Sequence, residues 1–295
     1  MNILTGCSGW SYSDWVGPFY PKDLSRRHTE WLRFYSRFFS TTEINSTFYS
    51  MPATATVTSW IEKTAGIPLF EFSVKFPRII SHDLLPSGNI DEAIAERDKF
   101  ADVCITPLRK AGRLGAVLLQ LPPEFRYSGT SLSRLVQLLE SISREGDDIA
   151  VEFRDRSWLS AGAEYLRDDA QDALASLNCA SVLVDSPAFP VMHALTGDHA
   201  YIRFHGRNRD IWYGGKGEED GRINRYDYLY SRGQLETWIP KVRALSETSR
   251  VARIYFNNHG RAKAAKNAME FMDLLGIEHA KKDMRITDQS TLGAF

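Results

Sequence analysis

Seven ionisable side chains, Glu43, Lys75, Glu152, Arg154, Asp185, Arg203 and His205, interrupt or end short apolar runs in this 295-residue chain, together with the amides Asn45, Gln120 and Asn257. Side chains two apart on a strand share a face. Glu43 therefore goes with Asn45, Ser73 with Lys75, Glu152 with Arg154, and Arg203 with His205. Lys75, Arg154, Arg203 and His205 are cations suited to a phosphate, Arg through paired N–H donors. Glu43, Glu152, Asp185 and His205 are the candidate catalytic groups, because a carboxylate or imidazole beside such cations can move a proton. Asn45, Gln120 and Asn257 are candidates to position substrate hydroxyls. Buried charge is costly unless paired, so the same ring could also neutralise itself and do no chemistry. Glu43, Glu152, Asp185 and His205 offer hard oxygen and imidazole ligands to a divalent metal. The seven histidines show no ligand spacing, and no metal site is assigned.

Aromatic residues gather near these groups in segments that read as loops. Trp10, Tyr12, Trp15, Phe19 and Tyr20 crowd residues 9–29, Trp158 follows Arg154, and Trp212 and Tyr213 lie within 206–224. Trp10, Tyr12, Trp158 and Trp212 are candidates to stack on a base or sugar ring. The plainer expectation for any one of them is packing of loop on loop.

Eight β-branched or aromatic-rich runs must position this chemistry: 3–8, 42–48, 69–76, 116–121, 149–154, 181–185, 200–205 and 252–257. Near-continuous apolar runs suit parallel strands covered on both faces. Helical periodicity separates most of them, as in Trp31, Phe34, Tyr35 and Phe38, or Leu132, Leu135, Val136, Leu139 and Ile142. Pro240 is expected to kink the helix of 235–245. Strand and helix alternating eight times predict an α/β TIM (β/α)8 barrel. The connection 186–199, with Pro187 and Pro190, is too short for a full helix. Residues 1–280 read as one domain and 281–295 as a loosely held tail. The polar groups fall at the C-terminal strand ends, where barrel active sites lie. A doubly wound sheet would want G-x-G-x-x-G after the first strand, whereas the chain reads Gly6-Cys7-Ser8-Gly9-Trp10.

The segments GCSGWSYSDWVGPFYP, TTEINSTFYSMP, FEFSVKFPR, LLQLPPEF, AVEFRDRSW, YIRFHGR and YFNNHGRAKAAKNA occur in this order over about residues 3–275. Together they resemble the YecE-like family, domain of unknown function 72. The resemblance implies a TIM barrel and no particular reaction, since the family's name records none.

Lys+Arg at 36 and Asp+Glu at 37 give a net charge of −1. Nucleic acid is thus not favoured as a partner, although a local basic mouth could hold a strand. Three scattered cysteines, Cys7, Cys104 and Cys179, argue against a disulfide framework. With no apolar run long enough for a membrane span and no signal-like N-terminus, a cytoplasmic location is expected. The leading expectation is an enzyme acting on a phosphate-bearing substrate: a nucleotide, a sugar phosphate or a nucleic-acid end. The alternatives are a carbohydrate-active hydrolase or isomerase, and a non-enzymatic binder of an anion or nucleic acid. Arg203→Ala or Lys75→Ala is expected to abolish binding of a phosphate-type ligand and leave the fold intact.

Overall fold

The computed structural model describes residues 2–143, 146–162, 164–189, 195–208, 226–284 and 286. Nine parallel strands form one sheet among these residues. They are β1 (Ile3–Ser8), β2 (Thr41–Ile44), β3 (Glu71–Lys75), β4 (Leu114–Gln120), β5 (Asp148–Glu152), β6 (Ala180–Ser181), β7 (Leu183–Asp185), β8 (His199–Phe204) and β9 (Val251–Phe256). The order runs β6-β5-β4-β3-β2-β1-β9-β8-β7. Only Val182 separates β6 from β7, the two ends of that order, so the sheet wraps into a nearly closed barrel. The run expected at 181–185 is therefore split: β6 pairs with β5, β7 pairs with β8, and the Val182 amide donates to Val151 O at 2.9 Å.

Helices cover the outside. Thr54–Thr64, Ile90–Phe100, Gly129–Ser143, Asp168–Ser176, Ile239–Thr248 and Lys263–Leu275 follow β2, β3, β4, β5, β8 and β9. Apolar residues at helical spacing drive this packing: Val57 and Trp60 of one helix, or Leu135, Leu138, Leu139 and Ile142 of another, are buried. Pro240 starts a helix rather than kinking one. It sits in the first turn of Ile239–Thr248, where its missing N–H costs nothing. In the connection after β7, residues 186–189 and 195–198 carry bends and no helix, and residues 190–194 lie outside the described ones. At the expected tail, Met284 is buried and Ile286 O accepts from Lys266 Nζ at 3.2 Å, so the start of that segment is held against the barrel. No helix among the described residues is long and apolar enough to cross a membrane.

The barrel is drawn tight at β1 and β2. Gly6 stands in register with Thr41, and a Cβ there would lie 2.1 Å from the Thr41 carbonyl oxygen. Only a hydrogen fits, because the obstacle is backbone. Gly6→Ala should destabilise by about 3 kcal/mol, the upper end of overpacking costs. Gly66→Ala, where open space surrounds the position, should be near neutral. Urea unfolding of the two variants checks this; equal stabilities would contradict it.

Candidate active site at the barrel mouth

Strand alternation places inward side chains in storeys. At mid-barrel, Thr41 Oγ1 and Ser73 Oγ meet the Tyr255 hydroxyl at 2.7 and 2.8 Å. One storey up lies the charged centre. Arg203 is 1% exposed, and its Nη2 meets Glu43 Oε1 at 2.7 Å while Nη1 meets Glu152 Oε2. Both carboxylates are fully buried. Glu43 Oε2 also accepts from the Tyr201 hydroxyl at 2.6 Å. One guanidinium thus joins strands β2, β5 and β8 across the barrel axis.

Toward the mouth, Arg154 Nε pairs with Glu152 Oε1 at 2.5 Å and keeps a partly exposed side chain. Gln120, in register with Glu152, offers its Oε1 to three cations: Lys75 Nζ at 3.0 Å, Arg154 Nη2 at 3.2 Å and Arg203 Nη1 at 3.2 Å. Lys75 Nζ also rides 3.7 Å from the centre of the Phe48 ring. Asn257 Nδ2 donates to His205 Nδ1 at 3.0 Å. That bond leaves the imidazole proton on Nε2, which faces Glu152 Oε1 at 3.4 Å.

The charges tune one another. Burial alone would raise the Glu152 carboxyl, but Arg154, Arg203 and His205 together hold it well below the usual range. Burial works against the Arg203 cation too, yet Glu152 and Glu43 keep it firmly protonated. Burial, and then Arg203, lowers His205 to about 4, so it is neutral at physiological pH. Burial, and then Arg203, likewise lowers Lys75 to about 7. Three cations, Arg203, Arg154 and Lys75, thus meet two carboxylates, with the third poised to lose its proton.

Nine of the expected site residues come to this end of the barrel: Glu43, Asn45, Lys75, Gln120, Glu152, Arg154, Arg203, His205 and Asn257. Asn45 stands just past β2, its Oδ1 buried and unpartnered. Asp185 does not join them. It pairs in register with Phe204, on the outward parity of the sheet. Its carboxylate is taken by Arg207 Nε at 2.8 Å, the Tyr230 hydroxyl at 2.9 Å and Trp238 Nε1 at 2.7 Å, between strands and helices. Trp158 is also removed from the mouth. It is fully buried against Phe125 and Phe153, and its Nε1 donates to Phe125 O at 2.7 Å. Trp15, Phe19 and Tyr20 are buried in the packing of the first insertion. Trp10 and Tyr12 remain half-buried beside a cavity of about 610 Å³. Trp212, with Tyr213, lies outside the described residues.

The expectation that charge gathers only at the C-terminal strand ends is also corrected. A second network closes the opposite end, with Arg253 on Glu71 at 2.6 Å and on Asp148 at 2.8 Å, and Arg250 on Asp148 at 2.5 Å. These residues open their strands, where attention to strand ends misses them. Alternation back from Arg203 and Asn257 would have found Tyr201, Arg253 and Tyr255. Among the described residues, no group of three or more His, Cys, Asp or Glu is arranged to hold a metal ion.

A family model described as "Protein of unknown function DUF72" matches residues 4–291. The chain belongs to the DUF72 family. The UPF0759 protein YunF of Bacillus subtilis is 28% identical over 286 residues, covering 94% of this chain and 96% of YunF. The UPF0759 protein YecE of Escherichia coli K12 is 27% identical over 236 residues, covering 71% of this chain and 78% of YecE. Among solved structures, a DUF72 family protein from Thermotoga maritima superposes with a TM-score of 0.78 at 31% identity, covering 94% of this chain and all of that one. A DUF72 family protein from Enterococcus faecalis gives 0.77 at 21% identity, covering 97% of this chain and all of that one, which concerns the fold alone.

The site geometry corrects the expectation for Arg203. It is enclosed by its two carboxylates, and its loss would leave Glu43 buried without a cation and Glu152 with Arg154 alone. Arg203→Ala should cost about 3–5 kcal/mol of stability. Arg154→Ala should cost under about 2 kcal/mol, because Glu152 keeps Arg203. Chemical denaturation of both variants measures the difference; a harmless Arg203→Ala would contradict the assignment.

Proposed function

We propose that the DUF72 barrel mouth is the active site of an enzyme acting on a small phosphate-bearing substrate. One observation carries this reading: three cations converge on a single neutral oxygen, Gln120 Oε1. A neutral amide is a weak partner for three positive groups. A phosphate oxygen brought alongside would meet the same donors with the charge the amide lacks. Arg154 and Lys75 would bind it, since Arg203 is already committed to Glu43 and Glu152. Neutral His205, its Nδ1 occupied by the Asn257 amide, would stand beside the anion as an N–H donor through Nε2 and not as a base. Glu43 and Glu152 then act as the fixed counter-charges of Arg203.

That arrangement also weighs against a carbohydrate hydrolase. Such an enzyme needs one carboxyl group protonated as an acid. Glu152 is held well below the usual carboxyl range by its guanidinium neighbours, and Glu43 is locked by Arg203 and Tyr201.

The test is a thermal-shift and calorimetric titration with inorganic phosphate. Wild-type protein should gain melting temperature with phosphate. Arg154→Ala should bind about tenfold more weakly, the loss of one charge-assisted hydrogen bond. If phosphate leaves the wild-type transition unmoved, the reading falls.

A further inference from the structure

The cavity of about 610 Å³ lies at the C-terminal ends of β1 and β2. It is large enough for a small organic ligand. Four aromatic side chains line it: Trp10, Tyr12, Tyr49 and Trp60. Tyr49 is 74% exposed, with its ring edge-to-face on Phe48 at 5.2 Å. Ser11, Thr29, Ser46 and Thr56 contribute hydroxyls, Lys63 and His28 also stand in the lining, and no carboxylate is among the described lining residues. Asn45 also lines it, and its buried Oδ1 accepts no hydrogen bond. An orphaned buried acceptor costs free energy until a donor reaches it. Ring faces, hydroxyls and a waiting acceptor suit an uncharged ring that carries hydroxyl groups, which stacks by its C–H face and donates at its edge.

The cavity and the cation cluster share one turn of chain. In the helix Ser46–Tyr49, Phe48 lies beneath Lys75 Nζ at 3.7 Å, while Ser46 and Tyr49 line the cavity. Asn45 follows β2 two residues after Glu43, the carboxylate that holds Arg203. The segment Asn45–Tyr49 is thus the stretch of chain that the two places have in common.

We infer that this cavity receives the sugar ring of a phosphorylated substrate, with Asn45 accepting from a ring hydroxyl and Tyr49 flanking the ring. The inference rests on the phosphate reading for the other end of the molecule. The sugar could be a hexose or the ribose of a nucleotide, and the two share this chemistry.

The experiment compares inorganic phosphate, glucose 6-phosphate, AMP, methyl glucoside and adenosine by calorimetry on wild type, Tyr49→Ala and Asn45→Ala. Tyr49 is exposed, so its removal spares the fold. At least one ring phosphate should bind about tenfold or more tightly than inorganic phosphate. Both variants should lose that gain and keep their affinity for inorganic phosphate. Whether glucose 6-phosphate or AMP shows the gain identifies the ring. If inorganic phosphate binds and neither ring phosphate does better, the cavity assignment is overturned and the anion site stands. If a neutral ring binds in a Tyr49-dependent manner while inorganic phosphate does not, the cavity assignment stands and the phosphate reading is overturned. If no compound binds, both fall.

Discussion

The buried guanidinium of Arg203, held between Glu43 and Glu152, is the constraint on which the rest of the site depends. A charge this deep is tolerable only with its counter-charges in place. Those come from β2 and β5, while Arg203 itself comes from β8, so the strands must close around the axis for any of the three to be buried. Tyr201 adds a hydrogen bond to Glu43 from two residues earlier on β8. In the closed sheet the three charges meet and neutralise one another. A plainly apolar core would close the barrel too, but it would fix no field at the mouth.

That field is what the upper storey inherits. With both carboxylates committed to Arg203 and Arg154, Lys75 has an amide oxygen and an aromatic face for partners. Burial and Arg203 then lower its proton affinity to about 7. The imidazole of His205 is kept neutral by the same neighbours. The mouth is thus short of negative charge by about one unit when Lys75 is protonated. The opposite end of the barrel shows the contrast: there Arg253 and Arg250 meet Glu71, Asp148 and Asp198, so cations do not outnumber carboxylates.

Much of this was legible in the sequence. The eight runs and their parallel character follow from near-continuous apolar stretches, and the faces shared by Glu43 with Asn45, Glu152 with Arg154, and Arg203 with His205 follow from alternation. Asp185 was misplaced because its position at the end of its run was given more weight than its parity. Its outward neighbour Phe204 is visible only once strands are paired. Trp158 was misplaced because a loop aromatic and a core aromatic look alike until burial is known. The split at Val182 and the π-helical turn over Ala101–Ile105, ahead of Pro107, depend on packing that no local pattern encodes. The depth of Arg203 was hidden for the same reason: sequence shows which groups share a face and leaves open which of them satisfy one another.

The central claim is that the mouth lacks one negative charge whenever Lys75 is protonated, and that an anion supplies it. Calorimetry of inorganic phosphate binding at pH 8, in buffers of different ionisation enthalpy, reads this as proton uptake. Free Lys75, at about 7, is mostly neutral at that pH, and a bound anion would return it toward its ordinary value near 10. The account predicts uptake of a large fraction of one proton by wild type, and much less by Lys75→Met. Phosphate binding without proton uptake, or with equal uptake in both proteins, would contradict it.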